Sequence, residues 1–188
     1  LILGHPGADP VAAGQIPWVV PVTGTDPGTC MTNGSLWKYL KSKKVYHCPS
    51  DLDWHLVTYS LNCFLNGEDF GGTVQHLGRV RHAESVFIFL EENDWRSTMS
   101  TTTPYNLGSF AVTPYPYPPA SGNTSFVDYP GSWHNNGVCL GFADGHADYW
   151  KWSDATVMSL KTNNVDVSSD PAALRDLRRL QIARGPIP

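Results

Sequence analysis

His134-Asn135-Asn136-Gly137-Val138-Cys139-Leu140-Gly141-Phe142-Ala143-Asp144-Gly145-His146 is the stretch that decides the fold of this chain. Apolar residues alternate at Val138, Leu140 and Phe142, an Asp-Gly pair interrupts them, and a second alternating run follows to Trp152. Asp-Gly between such runs signals a hairpin, because a type I′ turn needs positive φ at both central residues. Read as a two-residue turn, it sets Ala143 opposite His146, Phe142 opposite Ala147 and Leu140 opposite Tyr149. Val138, Leu140, Phe142, Ala147 and Tyr149 then share the core face, and Cys139, His146, Asp148, Trp150 and Trp152 share the other.

His134, Asp144 and His146 look like metal ligands only on paper. A strand rises about 3.3 Å per residue, so the ten residues from His134 to Asp144 span roughly 33 Å. A shared metal would need a sharp bend at Gly137 or Gly141. His134 is expected instead to fix the entry to the strand through a hydrogen bond.

Outward from the hairpin, Ser85-Val86-Phe87-Ile88-Phe89-Leu90-Glu91 is the most apolar run and suits a central strand buried on both faces. Val57 to Asn62 reads as another strand. Ser35 is placed to cap a short helix over Leu36–Lys41, Val45-Tyr46-His47 reads as a brief strand, and Cys48-Pro49-Ser50-Asp51 as a turn. Pro171, with Asp170 or Ser169 as cap, opens a final helix through Leu180, with Leu174, Leu177 and Leu180 near one face and Gly185 beyond its end. Residues 1–30 form an irregular entry, Gly67 to Gly72 a loop, and 96–131 a Tyr/Pro-rich insert, including Pro114–Pro119, whose rings are expected to pack over the sheet. The expectation is a single domain over residues 1–188, of α+β class, with a mainly antiparallel sheet, a C-terminal β-hairpin and few short helices.

The bulk numbers agree. The chain has 188 residues, 41% hydrophobic and only 16% charged, enough for one cored domain. A net charge of -4 offers no electrostatic footprint for nucleic acid. The basic clusters Lys38/Lys41/Lys43/Lys44 and Arg175/Arg178/Arg179 read as solvated faces. No apolar run approaches the roughly 20 residues needed to cross a bilayer, and no secretory leader is visible. The chain opens at Leu1 without a methionine and reads as a piece of a longer protein.

Of four cysteines, Cys30 and Cys48 flank the short helical segment and are the expected disulfide, a closure contributing about 3 kcal/mol in the chain-entropy model. Cys63 and Cys139 read equally as a second pair or as buried thiols. There is no CxxC pair or zinc-type spacing. No Gly-x-Ser-x-Gly elbow, His-Glu-x-x-His helix or phosphate-binding loop is present. His47 and Cys48 are adjacent and would point to opposite faces of a strand, which disfavours a nucleophile–base pair. Glu91 and Glu92 are expected to hydrogen-bond at a strand end rather than to act as an acid pair. The chain is therefore not expected to be an enzyme.

The pattern His134-x9-Asp144-Gly145, extended by His146, resembles the signature of the prepilin-type H-x9-DG proteins, a pseudopilin-like family. Leu36-x-x-Tyr39-Leu40-Lys41 followed by Val45 to Asp51 resembles that family's short helix and its "CPSD" element at Cys48, Pro49, Ser50 and Asp51. Thr58-Tyr59-Ser60-Leu61-Asn62 resembles its "SYxxN" strand, Ala83 to Glu91 the strand after it, and Asp176 to Gln181 its Leu-rich ending. The matches run in order from residue 36 to about 183. Trp133 departs from a common arginine, and this chain carries neither the processed leader nor the long apolar N-terminal helix.

The resemblance implies a pseudopilin-like head: a non-enzymatic structural subunit of a type II secretion or type IV pilus-like assembly. It would be periplasmic or extracellular, and anchored to the inner membrane only through the N-terminal helix. Its partners would be other pilin-like subunits or secretion machinery. No cofactor is expected. Some related major pseudopilins hold calcium, and Asp51, Asp53, Glu68 and Asp69 offer hard oxygen ligands, but their spacing matches no calcium loop and they read as solvated acids. The alternative is a secreted carbohydrate-binding or hydrolytic module using Trp54, Trp95, Trp150 and Trp152 as exposed rings. A flat aromatic platform beside a cleft with convergent carboxylates would mark it.

Overall fold

The apolar run ending at Glu91 becomes the middle of a five-stranded sheet. The structure is a computed structural model and describes residues 16–20, 26–53, 55–65, 74, 76–94, 108–113 and 124–185. Its strands are β1 (Tyr59–Asn62), β2 (Phe87–Glu91), β3 (Ser109–Phe110), β4 (Ser125–Phe126), β5 (Gly137–Phe142), β6 (Ala147–Lys151) and β7 (Val165–Asp166). Its helices are α1 (Thr29–Thr32), α2 (Trp37–Leu40), α3 (Ala155–Met158) and α4 (Pro171–Ala183). The main sheet runs β3-β1-β2-β5-β6, antiparallel except for the β1–β3 pair, and β4 with β7 makes a small second sheet. The class is α+β.

Each face of the sheet has its own cover. Phe87, Leu90, Val138, Leu140, Phe142 and Trp150 pack with Ala173, Leu177 and Leu180 of α4. Leu61 belongs to a second cluster with Trp18, Cys30, Met31, Tyr46 and Phe64. Because side chains alternate along a strand, β2 feeds both clusters, which is why its sequence is apolar almost throughout. Helix α4 starts as its sequence dictates: Asp170 accepts from the backbone N–H groups of Ala172 and Ala173, with Pro171 in the first turn. Asn62 ties the two elements together, donating to the carbonyls of Phe87 and Arg184, both at 2.9 Å.

The hairpin is present, but its turn is not the two-residue form. Phe142 N–H donates to His146 O at 2.8 Å and Gly145 N–H to Phe142 O at 3.0 Å, so Ala143, Asp144 and Gly145 form a three-residue loop. Gly145 alone of these has positive φ, at 96°. The added loop residue shifts the pairing by one, setting Val138 opposite Trp150 and Leu140 opposite Asp148. That slip exchanges the faces of the second strand. Trp150 and Trp152 are buried, at 7% and 3% exposure, while Ala147 and Tyr149 face outward. The two consecutive positive φ values of a type I′ turn occur instead at Asn135 and Asn136, 50° and 64°, where Asn is the side chain that best tolerates them.

Two smaller expectations also fail. Lys43–Tyr46 is a 3₁₀ turn rather than a strand, and it carries Tyr46 into stacking contact with Trp18 at 5.7 Å. Ser35 does not cap the short helix, which runs Trp37–Leu40 with Leu36 as N-cap; Ser35 N–H donates to Pro17 O. Within the Tyr/Pro-rich segment, Phe110, Phe126 and Tyr129 are buried in the core, as expected of its rings. The Pro114–Pro119 run and the 67–72 loop lie outside the described residues.

Gly145 gives a direct stability test. A Cβ built there meets nothing within 4 Å, so any cost of substitution comes from the backbone. Gly145→Val is expected to destabilise by about 1–2 kcal/mol, the cost of a left-handed conformation for an L-residue. Gly78→Ala, also in open space but without positive φ, should change little. Urea melts of the two variants check the difference.

Candidate functional site

The signature residues do not gather at the Asp-Gly turn. Asp144 Oδ1 accepts from His146 N–H at 3.1 Å and lies 2.6 Å from His146 Nδ1, and the imidazole stacks on Phe142 at 4.3 Å. These bonds hold the exposed Asp144 carboxyl below the usual carboxylate range. The turn is thus self-contained, and His134 sits elsewhere, as its strand length requires.

His134 is turned back by Asn135 and Asn136, its own N–H donating to Gly137 O. The preceding residues are tied to the end of β2: Gly131 N–H donates to Glu91 O at 2.7 Å, and Trp152 Nε1 donates to Gly131 O at 2.8 Å. This places His134 Nε2 at 2.7 Å from Glu91 Oε1 and 3.3 Å from Cys48 Sγ. Glu91 Oε2 accepts from the backbone N–H of Cys139 at 2.9 Å. Cys48 is positioned by its own N–H, which donates to Thr58 Oγ1 at 2.6 Å. Three segments thereby meet at one point: the turn after the 3₁₀ element, the end of β2, and the entry to β5.

Burial sets the character of the cluster. Cys48 and Glu91 are each 1% exposed, whereas the His134 side chain is 29% exposed and opens to solvent. Burial, with the Glu91 carboxylate beside it, pushes the Cys48 thiol up, and the same causes raise Cys139. Tyr59, paired with Glu91 across β1 and β2, is pushed up by burial and then by the nearby Cys48 and Glu91. One buried carboxylate is thus ringed by acids that keep their protons.

Beside this cluster, Asp51 Oδ2 lies 2.8 Å from His55 Nδ1 and 3.8 Å from His47, and Asp51 Oδ1 accepts from Asp53 N–H. Asp51 is buried and serves its own turn rather than being a solvated acid; Asp53 is exposed. Glu68 and Asp69 lie outside the described residues, as do Trp54 and Trp95. Glu91 and Glu92 part company: Glu92 accepts from the Ser60 hydroxyl. They make no acid pair, as expected of neighbours in extended chain.

Two expectations for these residue types fail. Cys30 and Cys48 are not joined; no disulfide links the cysteines, because Cys30 faces the Trp18/Tyr46 cluster and the Cys48 sulfur faces His134. Cys63 Sγ meets the Val112 carbonyl at 3.8 Å, so it too is a buried thiol. Trp150 and Trp152 form no exposed platform. Arg179 covers Trp150 at 3.8 Å, and both indoles are held by hydrogen bonds to Asp148 and Gly131.

The buried thiols predict an alkaline weakness. Burial pushes Cys30 from its ordinary 9.0 up to about 11, so between those values the unfolded chain ionises a thiol that the folded chain keeps protonated. The unfolded state then binds fewer protons and stability falls as pH rises. This contribution is fully present below 9.0 and lost through about 11. Urea midpoints at about pH 7.5 and about pH 10.5 should show the decline, and Cys30→Ala should reduce it.

The fold and site define an α+β domain whose polar centre is buried between strands. Comparison with known proteins finds no matching family model, no significantly similar curated protein and no significantly similar solved structure. Among the described residues, no helix is long and apolar enough to cross a membrane.

Proposed function

We propose that this chain is the globular head of a pilin-like structural subunit, non-enzymatic and acting by assembly with other pilin-like subunits or secretion machinery. The observation that carries the reading is where its motif residues go. Cys48 and His134, from the two most distinctive elements of the resemblance, meet across 86 residues at the end of the central strand, and Asp144-Gly145 closes the neighbouring hairpin. They serve as joints of the frame.

The same geometry argues against chemistry at the cluster. The Cys48 thiol is buried and its ionisation is suppressed, the reverse of an activated nucleophile. The sugar-binding alternative loses Trp150 and Trp152, both of which are in the core. A periplasmic or extracellular location, with anchorage through an N-terminal helix, belongs to the same proposal.

The full reading frame tests it. Co-expressed with a prepilin peptidase, the complete protein should be cleaved ahead of a long apolar helix and then fractionate with the inner membrane. A reading frame that encodes neither a prepilin leader nor such a helix would sink the proposal.

A further inference from the structure

We propose that Cys48, Glu91 and His134 form a binding site for a thiophilic divalent metal, zinc above all, that staples the three segments meeting there. One donor atom from each, a thiol sulfur, a carboxylate oxygen and an imidazole nitrogen, lies within 4.8 Å of the others. The contacts already approach coordination spacing. Tetrahedral zinc with Zn–S of about 2.3 Å and Zn–N of about 2.0–2.1 Å implies an S···N separation of about 3.5 Å. The Cys48–His134 distance is 3.3 Å. The Glu91–His134 contact of 2.7 Å is hydrogen-bond length, so the carboxylate would have to retreat by about 0.6 Å to share the ion.

A metal can take the place of the thiol proton at this point. A single His134 nitrogen faces both the sulfur and the carboxylate. A zinc ion displaces the proton of a thiol that coordinates it and would bind all three groups at once. Zinc with a thiolate, a carboxylate and a neutral imidazole carries no net charge, which suits a site where two of the ligands are 1% exposed. Sulfur and nitrogen donors select zinc over calcium, which takes oxygen ligands. Glu91 Oε2 is already oriented by the Cys139 N–H, the kind of outer bond that fixes a ligand. The part-exposed edge of His134 supplies the entry path and leaves a fourth position for water.

Cobalt substitution reads the site directly. The purified chain, reduced with a non-thiol reductant and stripped with a chelator, is titrated with Co2+. One equivalent should produce a sulfur-to-cobalt charge-transfer band and tetrahedral d–d absorption, both displaced by Zn2+. Cys139→Ser should keep the band, Cys48→Ser should lose it, and His134→Gln, checked for folding by circular dichroism, should lose the tetrahedral spectrum. Zn2+ should raise the Tm of the wild type and not of Cys48→Ser. A folded wild type with no band at stoichiometric metal would overturn the proposal, and so would a band that survives Cys48→Ser or depends on Cys139. Prepilin processing plays no part in this measurement, so the pilin-like reading and the metal site stand or fall separately.

Discussion

Replacing Phe87 with alanine is expected to remove about 3–5 kcal/mol of folding stability. Phe87 is fully buried at the start of β2, the middle strand of the five. It pairs with Phe142 of β5 and meets Phe110 edge-on at 6.3 Å, so its ring joins the hairpin to the far edge of the sheet. Truncation removes the transfer free energy of the ring and leaves a cavity lined by strands that cannot collapse into it. Domains of this size hold only about 5–15 kcal/mol in total, so the variant should sit near the unfolding threshold at ambient temperature. Ile88→Ala is the matched control, because Ile88 is only partly buried at the margin of the other cluster and lies where the β2–β5 register shifts. Its cost should be clearly smaller. Equal urea midpoints for the two variants would contradict the placement of Phe87 at the junction.

How much of this was legible in the sequence differs by element, for physical reasons. The strand at 57–62, the apolar run to Glu91 and the final helix were readable because each carries its own signal. Hydrophobic run length marks β2, and Asp170-Pro171 marks the start of α4. Register was not readable. Asp144-Gly145 fixes that the chain turns, but two-residue and three-residue loops both accept Asp-Gly, and the choice decides which side of the second strand is buried. A two-residue turn predicts Trp150 and Trp152 on the outer face, and both lie in the core.

The site was less legible than the fold. Cys48 and His134 each stand out in the sequence, yet nothing local pairs residues 86 positions apart. Their meeting depends on the reversal at Asn135-Asn136 and on the Gly131–Glu91 hydrogen bond, both tertiary outcomes. Glu91 carries the clearest signal of the site: a carboxylate ending a strand buried on both faces must find hydrogen-bond donors nearby. The disulfide expectation failed for a related reason. Flanking a short helix makes two cysteines close in sequence without setting the direction of either Sγ, and here one turns into a ring cluster and the other toward a histidine.

Glu91→Ala should cost about 2–4 kcal/mol, measured by urea denaturation with a chelator present so that no metal contributes. The carboxylate is buried and answers two donors, His134 Nε2 and the Cys139 backbone N–H. Removing it leaves the amide without that acceptor in the interior, a penalty of roughly 1–3 kcal/mol. His134 loses its partner as well, but at 29% exposure water can take over part of that bond, which holds the total below the upper end known for fully buried pairs. Glu91→Gln retains the shape and one acceptor oxygen and should cost less. Glu84→Ala, at an exposed pair with His82, should stay within about 0.5 kcal/mol. A double-mutant cycle of Glu91→Ala with His134→Ala isolates the contact itself, with an expected coupling of about 0.5–3 kcal/mol. Strict additivity of the two substitutions would mean that the histidine and the carboxylate do not hold each other, and the joint between β2 and β5 would then rest on the Cys139 N–H bond to Glu91, on side-chain packing and on backbone pairing.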